Sequence, residues 1–263
     1  MSLRTLSRGV SAALLFATLP FAIATPAAGQ GFNLPAAAIV GDSSVYPSRG
    51  RYLLIDAASA HLYMVEDGQV VDTMRVIVGK PATQTPTIAS KIYYATLNPY
   101  WNVTPDLVRT LIAANVLKQG FTYLSSHGYQ VLDSFDEGAQ PIDPATVDWK
   151  AVAAGRATVK VRQLPGPANS MGQVKFGFPN SDGVYLHDTP KKELFDSDER
   201  NISHGCVRLE DAPRLARWLL GRDPGDFGSQ PEENVLLPRA VPIYITYLNA
   251  PANAPMSFAS ASR

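Results

Sequence analysis

The fold class is decided by the stretch HLYMVEDGQVVDTMRVIV, residues 61–78. Asp67 and Gly68 stand between two runs rich in apolar and β-branched residues. An Asp-Gly pair in this setting is typical of a tight β-hairpin, because the turn needs backbone conformations that glycine and aspartate adopt easily. The apolar run at 52–56, just before the hairpin, indicates a further strand. The sequence therefore predicts antiparallel β-structure here.

The same kind of short apolar run, bounded by turn residues, recurs along the chain. Further strands are predicted at 87–97, 157–162, 173–178, 183–187 and 241–248.

Two stretches have helical rather than strand-like spacing of apolar residues. They are 105–117 and 211–220, with Thr104 and Asp211 as predicted N-caps and Gly221 as the end of the second helix. The segment 104–150 interrupts the strand series. It is helical at first and then loop-like, which predicts an inserted subdomain.

The N-terminus has the layout of a secretory signal peptide, predicted at 1–29. Arg4 and Arg8 form a positive region, and 10–23 is an uncharged apolar run. An uncleaved membrane anchor is the alternative, although the run is short for a full span. A signal peptide predicts export to the periplasm or cell envelope.

The remaining segments divide by composition. Residues 30–49 are rich in Ala, Pro, Gly and Ser and are predicted to be a linker, 50–248 is the folded domain, and 249–263 is a predicted flexible tail. Lys and Arg together number 23, as do Asp and Glu. This balance, without a basic run, argues against a nucleic-acid partner.

Cys206 is the only cysteine among 263 residues, so no internal disulfide can form. An exported protein with one thiol either pairs with another chain or keeps a free, reactive thiol. A thiol is a poor nucleophile until a nearby base or cation activates it. His187 and His204 are the candidate bases. Gly205 permits a backbone shape that turns the Cys206 N–H toward a bound carbonyl oxygen.

Two other readings of these residues stay open at this point. Cys206 could be a buried apolar thiol, the usual environment of cysteine. His187, His204 and Cys206 could also supply three ligands to a catalytic zinc ion, although the His-x-Cys spacing is cramped and no fourth ligand is evident.

The stretches YLHDT (185–189) and SHGCVR (203–208) together resemble the signature of L,D-transpeptidases of the YkuD type. Three more stretches resemble the YcbB-like branch of that family: NPYWNV (98–103), RQLPGP (162–167) and KFGFPN (175–180). The insertion resembles the lid subdomain of the same branch.

The resemblance implies a mainly β fold, a YkuD-like two-sheet β-sandwich with one or two helices and an inserted helical lid at 104–150. The domain at 50–248 would be the L,D-transpeptidase catalytic domain. Cys206 would be the acylated nucleophile and His187 its base, oriented by a backbone carbonyl. His204 and Gly205 would shape the loop and lend backbone N–H groups to the oxyanion hole. Ser203 and Arg208 would hold the loop and the donor pocket in place.

The implied reaction joins two peptidoglycan stem peptides through a cysteine thioester, with release of D-alanine and without a cofactor or a metal. Carbapenems would be inhibitors. Transfer to water, as in an L,D-carboxypeptidase, or to a protein lysine is an alternative outcome of the same chemistry. A non-catalytic peptidoglycan-binding module is another alternative.

Overall fold

The computed structural model describes residues 34–35, 45–223, 225, 230–248 and 257–258. The predicted signal peptide (1–29) lies outside these ranges, as do most of the predicted linker (30–49) and of the predicted tail (249–263). Within the described ranges, no helix has both the length and the apolar character needed to cross a bilayer.

The described part of the chain is mainly β, which confirms the predicted fold class. The strands are Leu34–Pro35 (β1), Arg51–Asp56 (β2), His61–Glu66 (β3), Gln69–Gly79 (β4), Ile88–Leu97 (β5), Trp101–Asn102 (β6), Tyr129–Leu132 (β7), Lys160–Gln163 (β8), Val174–Gly177 (β9), Leu186–His187 (β10), Asn201–Ser203 (β11), Val207–Leu209 (β12), Glu233–Thr246 (β13) and Ser257–Phe258 (β14).

The main sheet forms a closed circuit of strands. Its order is β4-β12-β10-β9-β5-β13-β2-β3, and the β3–β4 hairpin returns the circuit to β4. The two predicted layers are therefore continuous with each other. The hairpin turn is the one that the sequence predicts, because Asp67 and Gly68 both have positive φ, 47° and 76°.

The first helix (α1) has three consecutive parts: Pro105–Leu107, a π-helical turn at Val108–Ile112, and Ala113–Gln119. The other helices are Thr122–Ser126 (α2), Trp149–Ala153 (α3) and Ala212–Leu220 (α4). Short 3₁₀ turns occur at Pro81–Thr83, Pro144–Thr146 and Lys192–Asp196.

The predicted caps were right for α4 and only partly right for α1. The Asp211 carboxylate accepts a hydrogen bond from the Arg214 N–H, and Gly221 ends α4 in the left-handed conformation. Thr104 occupies the N-cap position of α1, but its side chain makes no capping hydrogen bond. Leu215 and Leu219 of α4 pack into the apolar core enclosed by the strands of the main sheet.

The inserted segment is less helical than predicted. Besides α1, α2 and α3 it contains β7, which joins β6 and β8 in a separate three-stranded sheet. Its own apolar cluster runs from Val103 to Val161, so residues on both sides of the predicted limits 104–150 pack into it. β7 is only four residues long, too short for its alternation to stand out in the sequence.

β13 begins eight residues before the predicted strand at 241–248. Its pairing with β5 shifts register between Leu236 and Val241, and Pro238 and Pro242 interrupt its sequence pattern. Proline inside a run argues against a central strand, and a bulge is one of the places where it is tolerated.

The pairing of β10 with β12 positions the residues that the motifs singled out. These strands are parallel neighbours, with Leu186 opposite Val207 and His187 opposite Arg208. Cys206 directly precedes β12, so two segments nineteen residues apart in sequence become adjacent in space.

Candidate active site

A cavity of about 650 Å³ lies where the main sheet meets the inserted subdomain. His187, Cys206 and Arg208 line it from the main sheet. Trp101 and Leu111 line it from the inserted subdomain. The cavity therefore combines a thiol and an imidazole from the main sheet with apolar side chains from the inserted subdomain.

Cys206 is partly buried in this wall, with its Sγ 3.9 Å from the carbonyl oxygen of Gly183. Burial raises the pKa of the Cys206 thiol above its ordinary value, and the Tyr185 backbone and the Arg208 guanidinium oppose that shift only in part. At neutral pH the resting side chain is therefore a thiol rather than a thiolate.

His187 is buried beside it, and the tautomer of its ring is set by the backbone. Nδ1 lies 2.6 Å from the carbonyl oxygen of Asp188. A carbonyl can only accept, so Nδ1 carries the proton and Nε2 keeps a free lone pair. Burial, followed by the nearby charge of Arg208, lowers the pKa of His187 to about 4. The ring is therefore a neutral base at neutral pH.

The loop that carries Cys206 is held by the buried hydroxyl of Ser203. Its Oγ donates to the Cys206 carbonyl oxygen at 2.7 Å and accepts from the Gly205 N–H at 3.1 Å. Gly205 has φ of 114°, a conformation that side chains other than glycine rarely adopt.

These bonds correct one implied role. The Gly205 N–H was expected to face a substrate oxygen, but it is already bonded to Ser203, because the tight turn brings the hydroxyl back onto it. The Cys206 N–H has no protein acceptor among the described residues, so it is a backbone donor left free to bind one.

Two threonines of the 79–86 loop support this turn, and neither was predicted from the sequence. Thr85 is fully buried, and its Oγ1 donates to the Gly205 carbonyl oxygen at 2.8 Å while it accepts from the Gly79 N–H at 2.9 Å. Thr83 Oγ1 donates to the Ser203 carbonyl oxygen at 3.2 Å. Nothing in a polar loop sequence distinguishes a buried threonine from an exposed one.

Arg208 and His204 also line the cavity. In the part of the chain that the structure describes, no carboxylate pairs with the partly buried Arg208 guanidinium, which leaves this cation open to the cavity. His204 is exposed. Its pKa is lowered by partial burial and then by the charges of Lys80 and Arg208.

The residues that the structure describes do not form a ligand set for the zinc ion considered from the sequence. His187, His204 and Cys206 line one cavity, but no group of three or more His, Cys, Asp or Glu side chains there is arranged to hold a metal ion. The other histidines lie elsewhere. His61 is on β3, and His127 packs against Tyr123 and Tyr129 inside the inserted subdomain.

A profile of the YkuD L,D-transpeptidase catalytic domain matches residues 50–238, well over half of the chain. The chain belongs to this family. The matched range of the L,D-transpeptidase profile includes the inserted subdomain and every cavity residue named above, and it includes the main sheet except β1, β14 and the second half of β13. Assignment to the YcbB-like branch stays a prediction.

This L,D-transpeptidase domain is 34% identical over 176 residues to a Haemophilus influenzae protein provisionally named an L,D-transpeptidase. The match covers 67% of this chain but 35% of the relative, so the chain spans about a third of the length of the curated protein it matches.

Solved structures of L,D-transpeptidases are similar at lower identity. One from Mycobacterium smegmatis is 17% identical, with a TM-score of 0.37, covering 74% of this chain and 58% of its own. L,D-transpeptidase 3 from Mycobacterium tuberculosis with a faropenem-derived adduct is 11% identical, with a TM-score of 0.35, covering 75% of this chain and 60% of its own.

Proposed function

We propose that this protein is a cysteine L,D-transpeptidase that crosslinks peptidoglycan stem peptides, with Cys206 as nucleophile and His187 as base. One observation carries the proposal. Cys206 and His187 line a single cavity from two adjacent parallel segments, and the Asp188 carbonyl holds the His187 ring with Nε2 unprotonated.

The first step starts from a neutral pair, because the thiol pKa is raised and the imidazole pKa is lowered. Cys206 Sγ attacks the carbonyl carbon of the third residue of a tetrapeptide stem, and its proton passes to His187 Nε2. A base of this kind removes the need for a resting thiolate. The charge that develops on the substrate oxygen is stabilised by the free Cys206 N–H, a donor of the oxyanion-hole type.

The intermediate then collapses. The bond between the third residue and the terminal D-alanine breaks, and the imidazolium returns its proton to the departing amine. This leaves a thioester on Cys206. The amine of a second stem attacks the thioester carbon, the C–S bond breaks, and the proton that the amine loses passes through His187 to the sulfur. The product is a crosslink between two third residues, and the enzyme is unchanged.

Recognition of the donor stem is assigned to the rest of the cavity. The open Arg208 guanidinium suits a carboxylate of the stem. Trp101 and Leu111 of the inserted subdomain line the same cavity as Cys206, so this subdomain acts as the lid. A covered thioester is kept from water, which would otherwise turn the transpeptidase into a carboxypeptidase.

The proposed reaction also indicates a class of inhibitor and a cellular location. A carbapenem is an activated acyl donor, so it is expected to acylate Cys206 and to block the enzyme. Peptidoglycan lies outside the cytoplasmic membrane, and we assign the protein to the periplasm or cell envelope, with residues 1–29 as its signal peptide and a role in cell wall biogenesis and cell shape.

The test is to incubate the purified protein with a disaccharide-tetrapeptide and to read the products by mass spectrometry, with Cys206→Ala as control. Dimers lacking one D-alanine, absent from the control, support the proposal. Tripeptide formed without dimer would move the assignment to a carboxypeptidase or to an enzyme with a protein acceptor. A folded protein that forms neither product would be a binding module.

A further inference from the structure

We propose that Asp188 and Lys192 are positioning residues, whose ion pair holds the backbone carbonyl that orients His187. The proposal rests on the function proposed above, in which His187 is the base. Neither residue contacts the thiol. Both line a second groove of about 1040 Å³ and not the cavity that His187 and Cys206 line.

The carbonyl of Asp188 needs support, because the tautomer of His187 depends on it. A peptide carbonyl that could rotate away would leave Nδ1 without an acceptor, and the proton could then sit on Nε2 instead. A ring protonated at Nε2 cannot take the proton of Cys206 with that nitrogen. The orientation of one peptide group therefore decides whether the base is competent.

The side chain of Asp188 is anchored at both oxygens, although it is a carboxylate with only 8% of its side chain exposed. Oδ1 accepts from Lys192 Nζ at 2.6 Å, and Oδ2 accepts from the Gln173 N–H at 2.9 Å. Its backbone N–H donates to the Val174 carbonyl oxygen at 2.9 Å. Asp188, whose carbonyl orients His187, is thus fixed through its side chain as well as through its backbone N–H.

Gly172 shows how closely this carboxylate is packed. It has φ of 63°, and a Cβ added there would overlap the carboxylate of Asp188. The backbone of the 172–174 segment therefore runs directly against the Asp188 side chain. A charged group is costly to bury unless it is paired, so an anchor this well buried is unusual for a residue with only a surface role.

Lys192 extends the anchor to the strand that follows Cys206. Besides the Asp188 carboxylate, its Nζ donates to the carbonyl oxygens of Glu210 at 2.8 Å and Leu209 at 3.3 Å. Leu209 is the last residue of β12. One ammonium group therefore joins the end of β10, which carries His187, to the end of β12, which begins beside Cys206.

The pair thus sets two quantities at once: the direction of the Asp188 carbonyl and the separation of the two segments that carry base and nucleophile. A merely stabilising ion pair would set neither. In the same groove, Arg75 is paired with Glu210 rather than with Asp188.

The experiment compares the variants Asp188→Asn and Lys192→Met with the wild type by ¹⁵N NMR of histidine-labelled protein. The His187 signals are assigned with His187→Gln. In the wild type the Nδ1-protonated tautomer is expected alone, and in each variant a mixture of tautomers is expected. The same samples are assayed for acylation by a carbapenem, where the rate is expected to fall on the order of 10- to 100-fold, as for a small misplacement of a reacting group.

Two matched controls separate positioning from a general loss of charge. Asp223→Asn removes one partner of the exposed Arg217–Asp223 pair, and Lys118→Met removes an exposed lysine of α1. Both controls are expected to keep the wild-type tautomer and rate. Lys192→Met is the decisive variant if Asp188→Asn folds poorly, because about half of the Lys192 side chain is exposed.

Variants that keep the wild-type tautomer and rate would overturn the proposal, and so would a fall in thermal stability with the tautomer unchanged. The NMR readout needs no turnover, so it tests the positioning role even if the transpeptidase assignment fails. Conversely, a wild type whose acylation does not depend on His187 would defeat the proposed function on its own.

Discussion

The hydroxyl of Thr85 donates a 2.8 Å hydrogen bond to the carbonyl oxygen of Gly205, 120 residues further along the chain. Both groups are buried, and the same hydroxyl accepts from the Gly79 N–H. The end of β4 and the turn that carries Cys206 are thereby joined by one side chain. The position of Cys206, the proposed nucleophile, therefore depends on a residue that belongs to neither motif.

Replacing Thr85 by valine is expected to destabilise the protein and to slow acylation. The change keeps the shape of the side chain but leaves a buried N–H and a buried carbonyl without a partner, which costs about 1–3 kcal/mol. Urea unfolding and the rate of acylation by a carbapenem measure the two effects. Thr158→Val, at an exposed threonine, should change the free energy of unfolding by less than about 0.5 kcal/mol. Equal effects of the two variants would contradict the role of Thr85.

Gly205→Ala is expected to lower the acylation rate because of its backbone, not because of crowding. A Cβ there would meet only the Thr83 carbonyl oxygen, at 3.9 Å, but φ is 114°. The strain should cost about 1–3 kcal/mol.

Gly50→Ala is the matched control for this variant, because φ is 81° there and nothing lies within 4 Å of an added Cβ. Both variants should lose stability in urea unfolding, while only Gly205→Ala should lose acylation. Normal acylation by Gly205→Ala would show that the turn tolerates an ordinary residue.

The burial of His187 predicts a loss of stability in mild acid. Its pKa falls from 6.5 to about 4 on folding, so between these values the unfolded chain binds a proton that the folded chain does not. Stability is therefore fully present above pH 6.5 and is lost as the pH falls toward about 4. The full difference corresponds to about 3 kcal/mol.

Unfolding measured at about pH 7 and about pH 4 tests this prediction when the wild type is compared with His187→Gln. The loss of stability should be smaller by most of that amount in His187→Gln than in the wild type. An undiminished loss in His187→Gln would assign the acid sensitivity to other groups.

Leu111 and Leu117 offer a direct test of the lid. Both are exposed leucines of α1, 39% and 48%, but only Leu111 lines the cavity. Leu111→Ser is expected to raise KM for the tetrapeptide donor several-fold, since it removes an apolar contact worth on the order of 1 kcal/mol, with little change in Tm. Leu117→Ser should change neither quantity. A similar KM for both variants would argue that α1 does not contact the donor.

Features with local causes were predictable. The hairpin between β3 and β4 follows from Asp67 and Gly68, which need no distant partner to form the turn. The ends of α4 follow from Asp211 and Gly221 in the same way. The boundaries of β13 and the existence of β7 were not predicted, because the first depends on a register shift against β5 and the second on pairing with β8.

The same division holds within the candidate site. The motif around Cys206 and its resemblance to a known family singled out His187 from the sequence alone. No such signal in the sequence pointed to the role of Thr85. The same is true of the hydrogen bond from the Gly205 N–H to Ser203 and of the Asp188–Lys192 pair. Each depends on which groups face each other after the chain has closed on itself.

The sequence by itself determined the strand-rich fold class and singled out Cys206 and His187 as the candidate nucleophile and base, since residue type, spacing and the family resemblance carry that information. Only the tertiary structure decided how the His187 ring is oriented, that the Cys206 N–H stays free, and what holds the loop. Those properties arise from hydrogen bonds between segments up to 120 residues apart, and burial then shifts the pKa values of Cys206 and His187 in directions that no local pattern can predict.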